Sequence, residues 1–153
     1  MPTPDNSTED WGAELLQGAR REQRQHHAEV EQHIANPEKA QKLDDFCIKL
    51  MQRGKCSEVI NWIETKSHTL GELDWVRSRR LVKSLSSLGC LKIYACEIFS
   101  GDHGENTGHL VIELPRAELK RKKILKKVHG LAREQGYAGP FDDGQRYVYV
   151  KLD

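Results

Sequence analysis

The loop at residues 100–108, SGDHGENTG, carries the residue types that could do acid–base or metal chemistry. Asp102, His103 and Glu105 lie within it, and His109 follows it directly. Imidazoles and carboxylates close together can act as a base with an orienting partner, or as metal ligands. The spacing matches no metal-binding signature, and Gly, Asp and Asn are also what a long hairpin loop needs. We favour a connecting loop and keep a hydrolase or metal-binding site here as an alternative.

A pair of carboxylates, Asp142 and Asp143, lies in the segment GPFDDGQ. Such a pair could bind a divalent ion, or could join a histidine if the two loops share one end of a sheet. Asp-Gly directly before an apolar strand is, however, a turn signal. We therefore interpret the segment as a turn, and we predict no catalytic residue, no metal and no other cofactor.

A third set of residues could bind RNA or single-stranded DNA. Alternation puts Tyr147, Tyr149 and Lys151 on one side of the last strand, and Lys92 and Tyr94 on one side of an earlier strand. If the two sides coincide, bases could stack on the tyrosines while cations follow the phosphates. A basic helix would add a positive stripe formed by Lys120, Arg121, Lys122, Lys123, Lys126 and Lys127. No RNA-recognition signature is present, and preceding helices that cover the tyrosines would remove this candidate.

Composition limits the classes of partner and compartment. The 153 residues include 24 basic and 23 acidic ones, so the net charge of +1 gives no global attraction to nucleic acid or anionic membranes. No apolar run approaches the roughly 20 residues that a membrane span needs. The first residues show no secretory signal, and none of the four cysteines forms a CxxC pair. We expect reduced thiols and a cytoplasmic protein that does not enter a membrane.

The first segment of the chain has only a weak pattern of apolar residues. Residues 1–36 predict a disordered start and a polar helical arm whose apolar residues are sparse, among them Trp11, Leu15 and Leu16. A helix that is polar almost all round cannot bury itself well alone. We therefore expect the N-terminal helices to contact a protein partner or a second copy of the chain.

Residues 37–66 predict a helical hairpin. From Leu43 to Met51 the apolar residues recur at i, i+3, i+4, i+7 and i+8, which is typical of an amphipathic helix. Ser57 can cap a shorter second helix. We favour a helix over a strand here because SEVINWIETK lacks the alternation of a strand. The alternative is a strand within 54–62.

Residues 67–153 predict a helix-strand-strand-helix-strand core. The first helix begins near Thr69, whose spacing to Glu72 fits a capping box. The following elements are predicted at 90–99, 109–114, 116–135 and 145–152. This α-β-β-α-β order is most of a ferredoxin-like pattern with the first strand missing or replaced by the hairpin. We expect the last strand to make a parallel or mixed pair after its helical crossover.

The sequence thus predicts an α+β protein with an N-terminal helical extension. The favoured function is a small non-enzymatic binding or regulatory module that acts through protein–protein interaction or self-association. Two features support this function: the arm, which cannot bury itself well alone, and the edge strands, which can pair with a strand of another chain. The alternatives are nucleic-acid binding and an enzyme or metal protein. An exposed tyrosine face would favour nucleic-acid binding, and a covered one would favour the protein-binding module.

Overall fold

The first helix follows a strong start signal. In the computed structural model, which describes residues 24, 28, 30 and 32–153, α1 spans Pro37–Gln52. Asn36 caps it by accepting hydrogen bonds from the backbone N–H groups of Glu38 and Lys39. Proline fits the first helical position because no intrahelical donor is needed there. The predicted start of this helix is confirmed.

After this helix, the chain contains six strands and three further helices. In chain order they are β1 Lys55–Glu58, α2 Val59–Trp62, β2 Thr69–Leu70, α3 Trp75–Ser86, β3 Lys92–Gly101, β4 Gly104–Thr107, β5 His109–Glu113, α4 Glu118–Glu134 and β6 Tyr147–Lys151. The protein is therefore α+β, as predicted, and its sheet is mixed. Among the described helices, none has the length and apolar character to cross a bilayer.

The sheet consists mostly of antiparallel neighbours. β1, β3, β5 and β6 lie in that order, each antiparallel to the next. β4 pairs antiparallel with the end of β3, and β2 pairs parallel with β4. Within the described residues β6 pairs with β5 alone. β6 is thus an edge of the sheet.

The predicted helical hairpin at 37–66 is wrong in its second half. β1 occupies Lys55–Glu58 and only Val59–Trp62 is helical, so the strand alternative within 54–62 describes the molecule. Ser57 pairs with Ala95 of β3 instead of capping a helix. A partner strand distant in sequence decides this conformation, which local alternation could not reveal.

Two further predictions about the core need correction. The helix predicted from Thr69 begins instead at Trp75, where the Asp74 carboxylate accepts the N–H of Arg77, and Thr69–Leu70 form β2. The last strand does not make a parallel or mixed pair, because β6 is antiparallel to β5. The ferredoxin-like detail is not confirmed: that pattern places another strand between two parallel strands joined by a helix, whereas α4 joins β5 and β6, which are adjacent and antiparallel.

The N-terminal predictions stay untested. The chain divides into two compact units, Met1–Ile34 and Ala35–Asp153. The arm within 1–36 and its expected contacts through Trp11, Leu15 and Leu16 fall almost entirely outside the described residues.

Helices cover both faces of the sheet. One face packs against α2, α3 and α4 through a large core that includes Val59, Leu85, Leu110, Ile112 and Ile124. The other face packs beneath α1 through a smaller cluster of Cys47, Leu50, Cys96, Val111 and Tyr147. This explains why the residues of β3 and β5 are apolar on both sides.

Candidate functional site

A groove runs along the sheet edge that β6 forms. Its volume is about 370 Å³, which lies in the range of ligand-binding pockets. α1 lines it with Lys39 and Leu43, and α4 lines it with Val128 and Ala132. These helices cover opposite faces of the sheet, so the groove lies between them with the edge strand as its floor.

Alternate residues of β6 direct their backbone groups to this edge. The N–H of Leu114 donates to the C=O of Arg146, and the N–H of Leu152 donates to the C=O of Gly108. In an antiparallel ladder every second residue bonds to the same neighbour, so the even-numbered residues of β6 face β5. The odd-numbered residues point their N–H and C=O groups away from β5: Tyr147, Tyr149 and Lys151.

Side chains occupy both ends of the exposed edge. The Oδ1 atom of Asp44 accepts the N–H of Tyr147 at 2.9 Å. The Nε2 atom of Gln135 donates to the C=O of Lys151 at 2.8 Å. Between these ends, the N–H and C=O of Tyr149 have no hydrogen-bond partner among the described residues. Such groups are a template for a further strand.

Amide exchange should reveal this alternation in the free protein. We expect the N–H of Tyr149 and of Lys151 to exchange with solvent on the order of 100-fold faster than those of Val148 and Val150, which are bonded to β5. Residue-resolved hydrogen exchange by NMR measures it. Equal protection of Tyr149 and Val150 would show that the edge is already paired.

The segment 137–145 forms the outer wall of the groove and is held by two side chains. Gln145, fully buried, accepts the N–H of Asp143 at 2.8 Å and donates to the C=O of Phe141 at 2.9 Å. Arg121 donates to the C=O of Gln145 at 2.8 Å and to the carboxylate of Asp142 at 2.7 Å. The sequence predicted a turn here but did not single out Gln145, since nothing local distinguishes it from a solvated glutamine.

The tyrosine side of β6 is covered. Tyr147 is only 7% exposed and belongs to the cluster beneath α1. The ring of Tyr149 packs edge-on against Phe46 of α1, with 5.2 Å between ring centroids. Tyr94 is half-buried against the same cluster. The rings needed for stacking bases are therefore largely engaged within the protein.

The lysines that were predicted beside these tyrosines are engaged too. Lys92 pairs with Glu58 at 3.0 Å. Lys151 places its Nζ atom 5.2 Å from the ring centroid of Tyr137. Neither lysine extends a flat basic surface over the sheet.

The predicted basic stripe on α4 is exposed except for Arg121. Arg121 turns toward Asp142 and the backbone, and so leaves the stripe. The others lie exposed on α4: Lys120, Lys122, Lys123, Lys126 and Lys127. Nucleic-acid binding through this helix stays a prediction.

The stretch 100–109, predicted as a connecting loop, instead contains the end of β3, all of β4 and the first residue of β5. It does not gather its acidic and imidazole groups into one site. Asp102 and His103 are exposed at the turn between β3 and β4. Glu105 pairs with Lys55 and lies 3.3 Å from His68. The hydrogen bond from Lys55 lowers the pKa of the Glu105 carboxyl, which therefore stays a structural anion.

The acidic pair of the turn does not join these groups. Asp142 pairs with Arg121, and Asp143 accepts the N–H of Asn36 at 3.1 Å. Considering only the described residues, no group of three or more His, Cys, Asp or Glu side chains could hold a metal ion.

His109 instead joins a cluster that the sequence analysis missed. Its Nδ1 atom lies 2.6 Å from the Tyr149 hydroxyl, and its Nε2 atom lies 3.4 Å from the Glu97 carboxylate. Glu97 also pairs with Arg53, and its positive φ of 49° marks the irregular pairing between β1 and β3. Burial raises the pKa of Tyr149, so its hydroxyl stays protonated. The cluster thus orients Tyr149 beside the groove.

Comparison with known proteins assigns no function to the chain. No protein-family model matches it, and no curated protein or solved structure shows significant similarity.

Proposed function

We propose that this chain is a protein-binding module that takes up an extended segment of a partner protein as an added strand on β6. The observation that carries the proposal is the backbone of Tyr149. Its N–H and C=O face a groove of about 370 Å³ without a hydrogen-bond partner in the described chain. One residue of an antiparallel partner strand can exchange both hydrogen bonds with such a residue.

The two occupied ends set the length of the added strand. Asp44 already binds the N–H of Tyr147, and Gln135 already binds the C=O of Lys151. Only the backbone groups between these two bonds remain for a partner. A short segment centred opposite Tyr149 fits this interval, and an extended sheet of many copies does not.

The walls of the groove define the chemistry of the segment. Leu43, Val128 and Ala132 present apolar groups from both helices, so an apolar side chain should enter between them. Lys39 and Lys151 contribute cationic side chains to the rim. We therefore expect an extended segment with an apolar residue next to an acidic one.

The flanking helices favour a peptide-like segment over symmetric pairing of two β6 strands. α1 and α4 stand on both sides of the edge, so the floor of the groove is recessed between them. The β6 strand of a second copy would bring its own two helices against these. Self-association is therefore the second outcome that a binding experiment must distinguish.

Filling the groove should weaken binding of the partner segment. Random short peptides displayed on phage are selected against the immobilised full chain, and the enriched sequences are synthesised with a fluorescent label. We expect the Ala132→Trp variant to bind them at least about tenfold more weakly, because the indole occupies the space of the peptide side chain. Fluorescence polarisation gives the Kd.

Lys127→Trp is the matched control, because it places the same indole on the exposed side of α4. Its Kd should equal that of the unsubstituted chain, and the bound peptide should slow exchange of the Tyr149 amide. If both variants bind the peptide with equal affinity, the binding site lies outside the groove. Sedimentation of the chain without peptide reports self-association. A dimer that Ala132→Trp disrupts would mean that a second copy of the chain, and not a partner segment, occupies the groove.

A further inference from the structure

Two cysteines face each other across neighbouring strands on the side of the sheet beneath α1. The Sγ atoms of Cys56 in β1 and Cys96 in β3 lie 3.7 Å apart. Ser57 pairs with Ala95 and Lys55 with Ile98, so Cys56 lies where the register shifts. Neighbouring strands lie about 4.7–4.9 Å apart, within the span of about 4.4–6.8 Å that disulfides accept between Cα atoms.

The two thiols differ in access. Cys96 is fully buried, whereas Cys56 is only half-buried and reaches the surface. Burial, together with the neighbouring thiol of Cys56, raises the pKa of Cys96. A dissolved oxidant therefore reaches Cys56 first, and Cys96 can react only with a group that forms beside it.

The other two cysteines are placed differently. Cys90 packs against the large core on the other face of the sheet, where it donates its S–H to the C=O of Leu85 at 3.2 Å. Cys47 is fully buried in α1 within the same cluster as Cys96, and burial raises its pKa to about 12. Within the described part of the chain, neither sulfur lies within hydrogen-bonding distance of another sulfur.

We propose that Cys56 and Cys96 form an oxidisable thiol pair that a hydroperoxide converts to a disulfide. The Cys56 sulfur attacks the terminal oxygen of the hydroperoxide and breaks the O–O bond, which gives a sulfenic acid and releases an alcohol, or water from hydrogen peroxide. The Cys96 sulfur then attacks the Cys56 sulfur and displaces hydroxide, which leaves as water with the Cys96 proton. The two thiols lose two electrons in total, and the O–O bond accepts them.

The bond would join β1 to β3 and close the chain between residues 56 and 96. Closing a loop of this length restricts the unfolded chain, so the oxidised protein should melt about 5 °C higher than the reduced one. This gives a readout that does not depend on any substitution.

The test uses the full chain and hydrogen peroxide as the probe. Intact mass spectrometry should show a loss of about 2 Da that a reductant reverses, and peptide mapping should link Cys56 to Cys96. In Cys96→Ser the loss of about 2 Da should vanish, and a sulfenic acid on Cys56 should become trappable by dimedone. Cys90→Ser is the control and should keep the loss. Three results would overturn the proposal. They are a disulfide that includes Cys47 or Cys90, a Cys96 that stays unlinked after Cys56 is fully oxidised, and a loss of about 2 Da that persists in Cys56→Ser.

Discussion

Replacing Gly139 by alanine is expected to lower the free energy of unfolding by about 3 kcal/mol. A Cβ atom at this position would lie 2.1 Å from Cδ2 of the His129 ring and 2.8 Å from the Cα atom of that residue. His129 is only 7% exposed, and its backbone belongs to α4, so neither the ring nor the backbone can move aside at low cost. The close approach of the segment 137–145 to α4 therefore requires a glycine.

Gly130→Ala is the matched control within the same helix. No atom lies within 4 Å of a Cβ atom built there, and the position lies in the interior of α4. Alanine should therefore raise the free energy of unfolding by about 0.5–1 kcal/mol, because it restricts the unfolded chain and suits a helix. Denaturant titration measures both variants. A Gly139→Ala protein as stable as the parent would mean that this segment does not pack against His129 as described.

Replacing Gln145 by leucine is expected to lower the free energy of unfolding by about 2–3 kcal/mol. The two side chains have similar size, but leucine neither accepts the N–H of Asp143 nor donates to the C=O of Phe141. Both hydrogen bonds end on a carboxamide that is fully buried, so water cannot replace it without opening the segment. The outer wall of the groove should loosen with the loss in stability.

Gln135→Leu separates burial from the mere loss of hydrogen bonds. This glutamine also joins two backbone groups, the C=O of Lys151 and the N–H of Asp153, but it is only half-buried and both hydrogen bonds are exposed to solvent. Water can take over both groups, so its loss should cost less than about 1 kcal/mol. Losses of equal size in the two variants, from the same denaturant titration, would contradict the role given to Gln145.

The groove illustrates how a sheet edge can be limited without being removed. An edge strand invites uncontrolled pairing, and proteins usually cover or interrupt it. Here an aspartate and a glutamine, Asp44 and Gln135, each imitate one hydrogen bond of a missing neighbour. The short interval around Tyr149 is left, which suits selective uptake of a brief segment.

Most elements of the fold could be predicted from local patterns. The apolar spacing and the Asn36-Pro37 pair predicted α1, an apolar run predicted β3, and alternation predicted β5 and β6. The prediction failed where a distant partner decides the conformation. β1 is four residues long, and its pairing with β3 outweighs a local pattern that resembled a helix.

The candidate site was predicted less well than the fold, for the same reason. Tyr147, Tyr149 and Lys151 were singled out for their side chains, whereas the structure makes their backbone groups the notable feature. The loop residues His103 and Glu105 looked like partners in the sequence, yet the hairpin leaves His103 exposed while Glu105 pairs with Lys55. Short spacing in sequence does not fix the direction of side chains once a strand pairs and twists.

The amino-acid pattern alone therefore established the α+β class and the approximate positions of α1, β3, β5 and β6, because periodicity and capping act over a few residues. Only the tertiary structure decided that β6 is an edge, that helices flank it on both sides, and that Cys56 meets Cys96. These features depend on which strands pair and in which register. Contacts between residues far apart in the chain determine that choice, and their free energies leave no local trace in the sequence.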